Sequence, residues 1–229
     1  MMFVHLSHVL DPNDVAWPGE PVISIEQDTH LSETGKPFNS HLISLPNHFG
    51  THMDGPRHFN TEGVPFDELP IEKFAYLGEE ILLVDLPHRN GPDEIVTKED
   101  LEPFAGDLKG KRLLLIRTGF EEKRTSDPHM YQNNGVSLHS GLSKWLCEEF
   151  PELDCIGMDW MSIAAPTNDH GPEAHRWLLG NYSDHIIVGI EDMSMKAIGD
   201  KTIKLVTLGP LRIKGVDSSQ VNAMALLED

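Results

Sequence analysis

Four apolar runs constrain the fold more than anything else in the sequence. Residues 80–86 (EILLVDL), 112–117 (RLLLIR), 155–159 (CIGMD) and 185–190 (HIIVGI) are almost unbroken hydrophobic stretches. Short runs without polar alternation are the pattern of strands buried on both faces. The segments between them carry helix signals. Thr97 is placed to cap a short helix through about residue 105. Ser137 is placed to cap a second, in which Leu138, Leu142, Trp145 and Leu146 fall on one face. A third helix is predicted over 172–179, stopping at Gly180. Strands joined through helices in this order imply parallel crossovers.

The rest of the chain reads as shorter pieces. Residues 2–10, 22–27 and 40–46 have strand patterning, with a turn at Trp17-Pro18-Gly19. Residues 55–79, broken by Gly63, Pro65 and Pro70, read as a loop, and 203–213 as one or two strands interrupted at Gly209-Pro210. The expectation is an α+β or mixed α/β fold forming a single domain over 1–229, which suits a chain of 229 residues.

Charge excludes some partners. With 18 basic against 37 acidic residues the formal net charge is -19. A field of that sign opposes nucleic acid and anionic membranes, because phosphate binding needs Lys and Arg. No stretch approaches the ~18 apolar residues of a membrane span. The first residues, MMFVHLSHVLDPND, lack the basic start and apolar run of a signal peptide. Cys147 and Cys155 are the only cysteines, so a reducing, cytoplasmic setting is expected.

Chemistry concentrates in His48-Phe-Gly-Thr-His52-Met-Asp54-Gly-Pro-Arg-His58. Imidazole and carboxylate are the usual ligands of Zn²⁺, Mn²⁺ and Fe²⁺. The i, i+4 spacing of His48 and His52 could occupy one helix face, as in metalloproteases. That arrangement carries a Glu beside the first His, which is missing here. Gly50 and the following Asp-Gly-Pro favour a loop or tight turn instead. One loop rarely supplies a whole metal site. His175 and Glu191 are the best distal candidates, with His170 and His185 as rivals. Glu191 ends the run IIVGI, and a charge emerging from a buried strand needs a partner.

The run HFGTHMDGPRHF resembles the signature His-x-Gly-Thr-His-x-Asp-x-Pro-x-His-Phe of the Putative cyclase family, which includes bacterial kynurenine formamidases and isatin hydrolases. HLSHVLDPNDVAWPGEP, RLLLIRTGF, CIGMDWMSI, AHRWLLGN with GIEDM, and LRIKGVDSSQVNAMAL resemble further family segments, so the likeness covers nearly the whole chain. It implies a swivelling β/β/α fold with one or two divalent metals, zinc or manganese. It implies His48, His52, Asp54, His175 and Glu191 as ligands and His58 as the acid/base residue. It also implies a homodimer or homotetramer. Two departures stand out: residues 181–184 look like an insertion between the distal ligands, and Trp160 is a bulky residue expected to reshape the pocket.

The function expected from this is hydrolysis of an amide, such as the formamide of N-formylkynurenine, a cyclic amide or a lactone, with His58 moving the proton. No Gly-x-Ser-x-Gly element is present for a covalent serine route. A metal-dependent lyase or cyclase could use the same ligands, and so could a non-catalytic protein that binds a metal or small ligand.

Overall fold

In this computed structural model, which describes residues 1–32 and 35–228, thirteen strands and six α-helices are found. The strands are β1 (Met2–His5), β2 (Ser24–Thr29), β3 (Ser40–Ser44), β4 (His52–Asp54), β5 (Ala75–Leu77), β6 (Ile81–Asp85), β7 (Ile95–Val96), β8 (Leu113–Arg117), β9 (Ser137–Leu138), β10 (Cys155–Met158), β11 (Val188–Glu191), β12 (Thr202–Pro210) and β13 (Ser218–Glu228). Short helices α1 (Lys98–Leu101), α2 (Ala105–Leu108), α3 (Lys123–Ser126) and α4 (Pro128–Asn133) precede the two longer ones, α5 (Ser140–Glu149) and α6 (His170–Leu178).

The four apolar runs become β6, β8, β10 and β11, mutually parallel neighbours as the crossover argument requires. Their alternate residues enter two different cores. Leu114, Ile116, Ile156 and Met158 pack with Leu142 and Leu146 of α5 and Leu178 of α6. Leu113, Leu115, Cys155, Val188 and Ile190 pack with Val206 of β12 and Ala223 and Ala225 of β13. That is why the runs lack polar alternation: neither face meets water.

These strands belong to one mixed sheet in the order β5-β12-β13-β4-β11-β10-β8-β6. β13 pairs along its length with β12, and its other edge is shared between β4 (Ser218 to Gln220) and β1 (Met224 to Leu227). Since both ends of the sheet contribute to the second core, the sheet curls on itself. The fold is mixed α/β. Among the described residues, no helix is long and apolar enough to cross a membrane.

Several boundaries differ from expectation. Ser137 does not cap α5; it lies in β9, and the ring of His139 accepts from the Gly141 N–H at the helix start. Segment 55–79 is not all loop, because Ala75 to Leu77 add to the sheet edge beside β12. The first strand stops at His5, and the break predicted at Gly209-Pro210 is absent because both residues continue the pairing with β13.

Leu114 is fully buried at the centre of the parallel strands. Leu114→Ala should therefore destabilise the fold by about 2–5 kcal/mol, the range for large-to-small core changes. Urea unfolding followed by circular dichroism measures it, and a wild-type midpoint would contradict this account of the core.

Candidate metal centre

The sheet register brings the site together. β4 lies between β11 and β13, with His52 opposite Glu191 and Gln220, and Asp54 opposite Gly189 and Ser218. Residues two apart on a strand share a face, and so do directly opposed residues. His52, Asp54 and Glu191 therefore stand together on one face, while Met53 points into the core behind them. The expected loop is thus only half right: the motif turns at 47–51 and then becomes the central strand.

The turn explains its own sequence. Gly50 has φ +68°, a conformation that strains residues bearing a Cβ, and an added Cβ would lie 2.3 Å from Leu10 Cδ2. The Gly50 carbonyl accepts from His52 Nδ1 at 2.8 Å. Thr51 Oγ1 donates to the Asp192 carbonyl at 2.5 Å, tying the turn to the residue after Glu191.

Each imidazole has one nitrogen tethered and the other aimed inward. His52 is tethered to Gly50, and its Nε2 stands 3.3 Å from Glu191 Oε2 and 3.5 Å from Asp54 Oδ1. His175, on α6, donates from Nδ1 to the Gly171 carbonyl at 2.7 Å; its Nε2 is 3.5 Å from Asp54 Oδ2 and 3.6 Å from Glu191 Oε1. His48 Nε2 and His58 Nδ1 both donate to Asp217 Oδ2, at 2.9 and 3.1 Å. Their inward nitrogens then face Asp54 at 3.1 Å (His48) and 3.8 Å (His58). Glu191 is fixed in turn by Ser162 Oγ at 2.9 Å and the Ile163 N–H at 2.7 Å.

Such an arrangement fits a divalent cation. Histidine ligands characteristically have the outer nitrogen hydrogen-bonded to an acceptor, which fixes the tautomer and the ring direction. Among the described residues, both oxygens of Asp54, fully buried, have no well-aligned hydrogen-bond partner, only the ring nitrogens that face them, and His52 Nε2 has none either. Orphaned buried acceptors of this kind are costly unless something else satisfies them. Among the described residues, two sets have ligand atoms within 4.8 Å of one another: His48, Asp54 and His58; and His52, Asp54 and Glu191. Imidazole with carboxylate suits first-row divalent ions.

Without an ion the cluster is a set of ion pairs. Burial opposes a charge on His48, but its contacts with Asp217 and Asp54 outweigh that and raise it to about 10. Burial likewise opposes charge on His175, and Asp54 and Glu191 raise it to about 9. Burial and the nearby Asp54 push Glu191 up, yet His175 and His52 bring it down to about 2. The hydrogen bonds from His48 and His58 hold Asp217 far below the carboxylate range.

The sequence profile of the Putative cyclase family matches residues 4–165. The chain belongs to this family. Over 222 residues it is 29% identical to the kynurenine formamidase of Bacillus cereus, covering 97% of this chain and 96% of that one. Its fold is similar to isatin hydrolase A from Labrenzia aggregata bound to benzyl benzoate, with TM-score 0.82 and 21% identity, covering 100% and 94% of the two chains. A potential metal-dependent hydrolase with cyclase activity is similar at TM-score 0.74 and 17% identity, covering 100% and 98%.

All six residues singled out from the sequence thus converge in this family member, and the insertion-like stretch 181–184 leaves both His175 and Glu191 in the cluster. The rivals do not join it. His170 packs tilted against His139 with ring centres 4.0 Å apart, and the ring nitrogens of His185 face the carbonyls of Cys147 and Leu153 at 3.1 and 2.8 Å. Trp160 does not reshape the pocket, because it is fully buried in the helix-side core. Asp217 was missed. It follows a turn at Gly215 and precedes β13, and a lone acid there gives no local signal.

These shifts set a pH dependence for the ion-free protein. His48 and His175 hold protons more tightly folded than unfolded, so their stabilisation is complete below about pH 6.5 and is lost as pH climbs through about 9 and 10. Glu191 works oppositely: its contribution is complete above about pH 4.5 and is lost as pH falls through about 2. Chelator-treated protein should lose thermal stability steadily above pH 6.5. A midpoint that keeps rising toward pH 10 would count against the cluster as described.

Proposed function

We propose that this chain is a metal-dependent hydrolase of an amide carbon–nitrogen bond, with His58 as its acid/base group. The observation that carries this reading is the set of tethered imidazoles facing the unsatisfied Asp54 carboxylate at the wall of a cavity of about 570 Å³. His48, His52, Asp54, His175 and Glu191 would hold one or two ions, zinc or manganese as the family resemblance implies, both compatible with these donors. A bound ion would supply Lewis acidity, polarising a carbonyl and making water a stronger acid. The relationship to a kynurenine formamidase favours a formamide, and the resemblance of the motifs favours the swivelling β/β/α type for the fold.

The chain's own residues provide the rest. Asp217 accepts a hydrogen bond from His58 Nδ1, which leaves Nε2 as the nitrogen facing the site. His58 Nε2 takes a proton from the attacking water and returns it to the departing nitrogen as the C–N bond breaks. At 3.8 Å from Asp54, this nitrogen has the longest approach of the four rings, which suits a proton carrier better than a ligand. Phe59 stacks on His175 with ring centres 4.5 Å apart and packs edge-on to His58, so it excludes water behind both rings.

Metal content and formate release, measured on the same preparations, test this reading. His52→Ala should lose the ion. His58→Ala should keep it and lose turnover by about two to four orders of magnitude, the range for one acid/base group. Metal falling together with activity in His58→Ala would make it a ligand, and a metal-replete variant with near-normal turnover would leave a binding protein as the better reading.

The chain would act as a homodimer or homotetramer. The β2–β3 hairpin stands apart from the main sheet and exposes Ile25, Phe38, Leu42 and Ile43, apolar surface that association would cover. Light scattering at micromolar concentration should give a multiple of the chain mass, and Leu42→Glu should lower it.

A further inference from the structure

The cavity beside the cluster has an uneven chemistry. Its apolar wall includes Trp17, Pro21, Pro46, Phe59, Met161 and Pro172, a lining for a flat hydrophobic group. Its inner polar side chains are already engaged. Asn47 donates to Asp217 Oδ1 and to Ser218 Oγ, both at 2.7 Å. Ser162 donates to Glu191 and accepts from the Ala164 N–H. Asn168 donates to Ser137 and accepts from the His170 N–H.

Among the charged lining groups outside the cluster, two remain uncommitted, and both are acids. Glu20 and Asp169 are exposed at the rim, and among the described residues neither side chain has a hydrogen bond or ion pair. No lysine or arginine is among the described residues lining the cavity. A carboxylate on a ligand is normally met by a guanidinium or ammonium. Asp169 also stands immediately before α6, so the partial positive charge of that helix end already faces a carboxylate. The net charge of -19 adds repulsion of the same sign at longer range.

Resting on the amide-hydrolase reading, we propose that this cavity selects aryl amides with a neutral or amine-bearing tail and rejects those with a carboxylate tail, Glu20 and Asp169 setting the preference. The bond cleaved is the formamide C–N bond; water adds to the carbonyl carbon, the proton goes to the aniline nitrogen, and formate leaves. No other co-reactant is needed.

The test uses three 2-formamidophenyl ketones of one scaffold, with tails ending in an ammonium, a methyl or a carboxylate, together with the three aniline products. kcat/KM should fall in the order ammonium, methyl, carboxylate. Glu20→Gln and Asp169→Asn should each shrink the ammonium-to-carboxylate ratio by about threefold and together by about tenfold, as expected for partly exposed charges. Added salt should shrink it in the unaltered protein too, which a merely structural role would not produce. Binding of the aniline products by calorimetry should follow the same order without requiring turnover. If no formamide is cleaved while the products keep that order, the hydrolase reading fails and the specificity stands. Cleavage with no dependence on tail charge, a carboxylate preference, an unchanged ratio in the double variant, or no binding of the amine product would each overturn the inference.

Discussion

The pairing of β4 with β11 is the constraint on which the site depends. It sets His52 against Glu191 and leaves Asp54 on the same face, two residues along. A slip of one residue would turn Met53 toward the cluster and both His52 and Asp54 into the core. The fully buried Met53 therefore guards the chemistry from behind: its place in the core fixes which way its neighbours point. β13 completes the arrangement from the other edge. The strand that presents Ser218 beside Asp54 begins immediately after Asp217, so one register positions both the candidate ligands and the tether of two histidines.

The tethers differ in kind, and the difference sorts the histidines. His52 and His175, both buried, give their outer protons to backbone carbonyls, which are neutral and rigidly placed. His48 and His58 are half-buried and give theirs to a carboxylate. The Asp217 carboxylate helps to hold the proton of His48. A backbone tether fixes direction without adding charge. The buried pair is thus aimed by the backbone, and the half-buried pair by one shared side chain. Asp217 can serve both rings only because they lie close, with ring centres 4.1 Å apart.

What the sequence disclosed depended on how local the signal was. His48, His52, Asp54 and His58 fall within one short run, and Glu191 is a charge at the end of an apolar strand; both patterns are visible without the fold. The parallel strands were legible for the same reason, since burial on both faces removes alternation. β4 was not, because three residues are too few to show a period, and its strand character comes from its two neighbours. Trp160 was misread because its position beside a family segment said nothing about which way the ring turns, and the ring turns into the core. Asp217 acquires its role only when the end of the chain folds back against residues far earlier in sequence, a contact that no local pattern encodes.

The cluster and the cavity mouth are built from different parts of the chain. Four of the five candidate ligands sit on β4, β11 and α6, where register and core packing hold them, and His48 lies in the turn just before β4. Much of the cavity mouth comes from segments flanking the β2–β3 hairpin, with Trp17, Glu20 and Pro21 before it and Pro46 and Asn47 after it. Loops can change composition with little effect on a distant strand register. A substitution at Glu20 alters an exposed charge that makes no contact needed by the sheet, whereas one at Met53 or Gly189 disturbs the packing that aims the ligands: a Cβ at Gly189 would meet Ile163 Cδ1 at 2.7 Å. The same cluster can therefore be kept while the mouth is altered, and differences in substrate among proteins of this architecture should concentrate at the mouth rather than at the ligands.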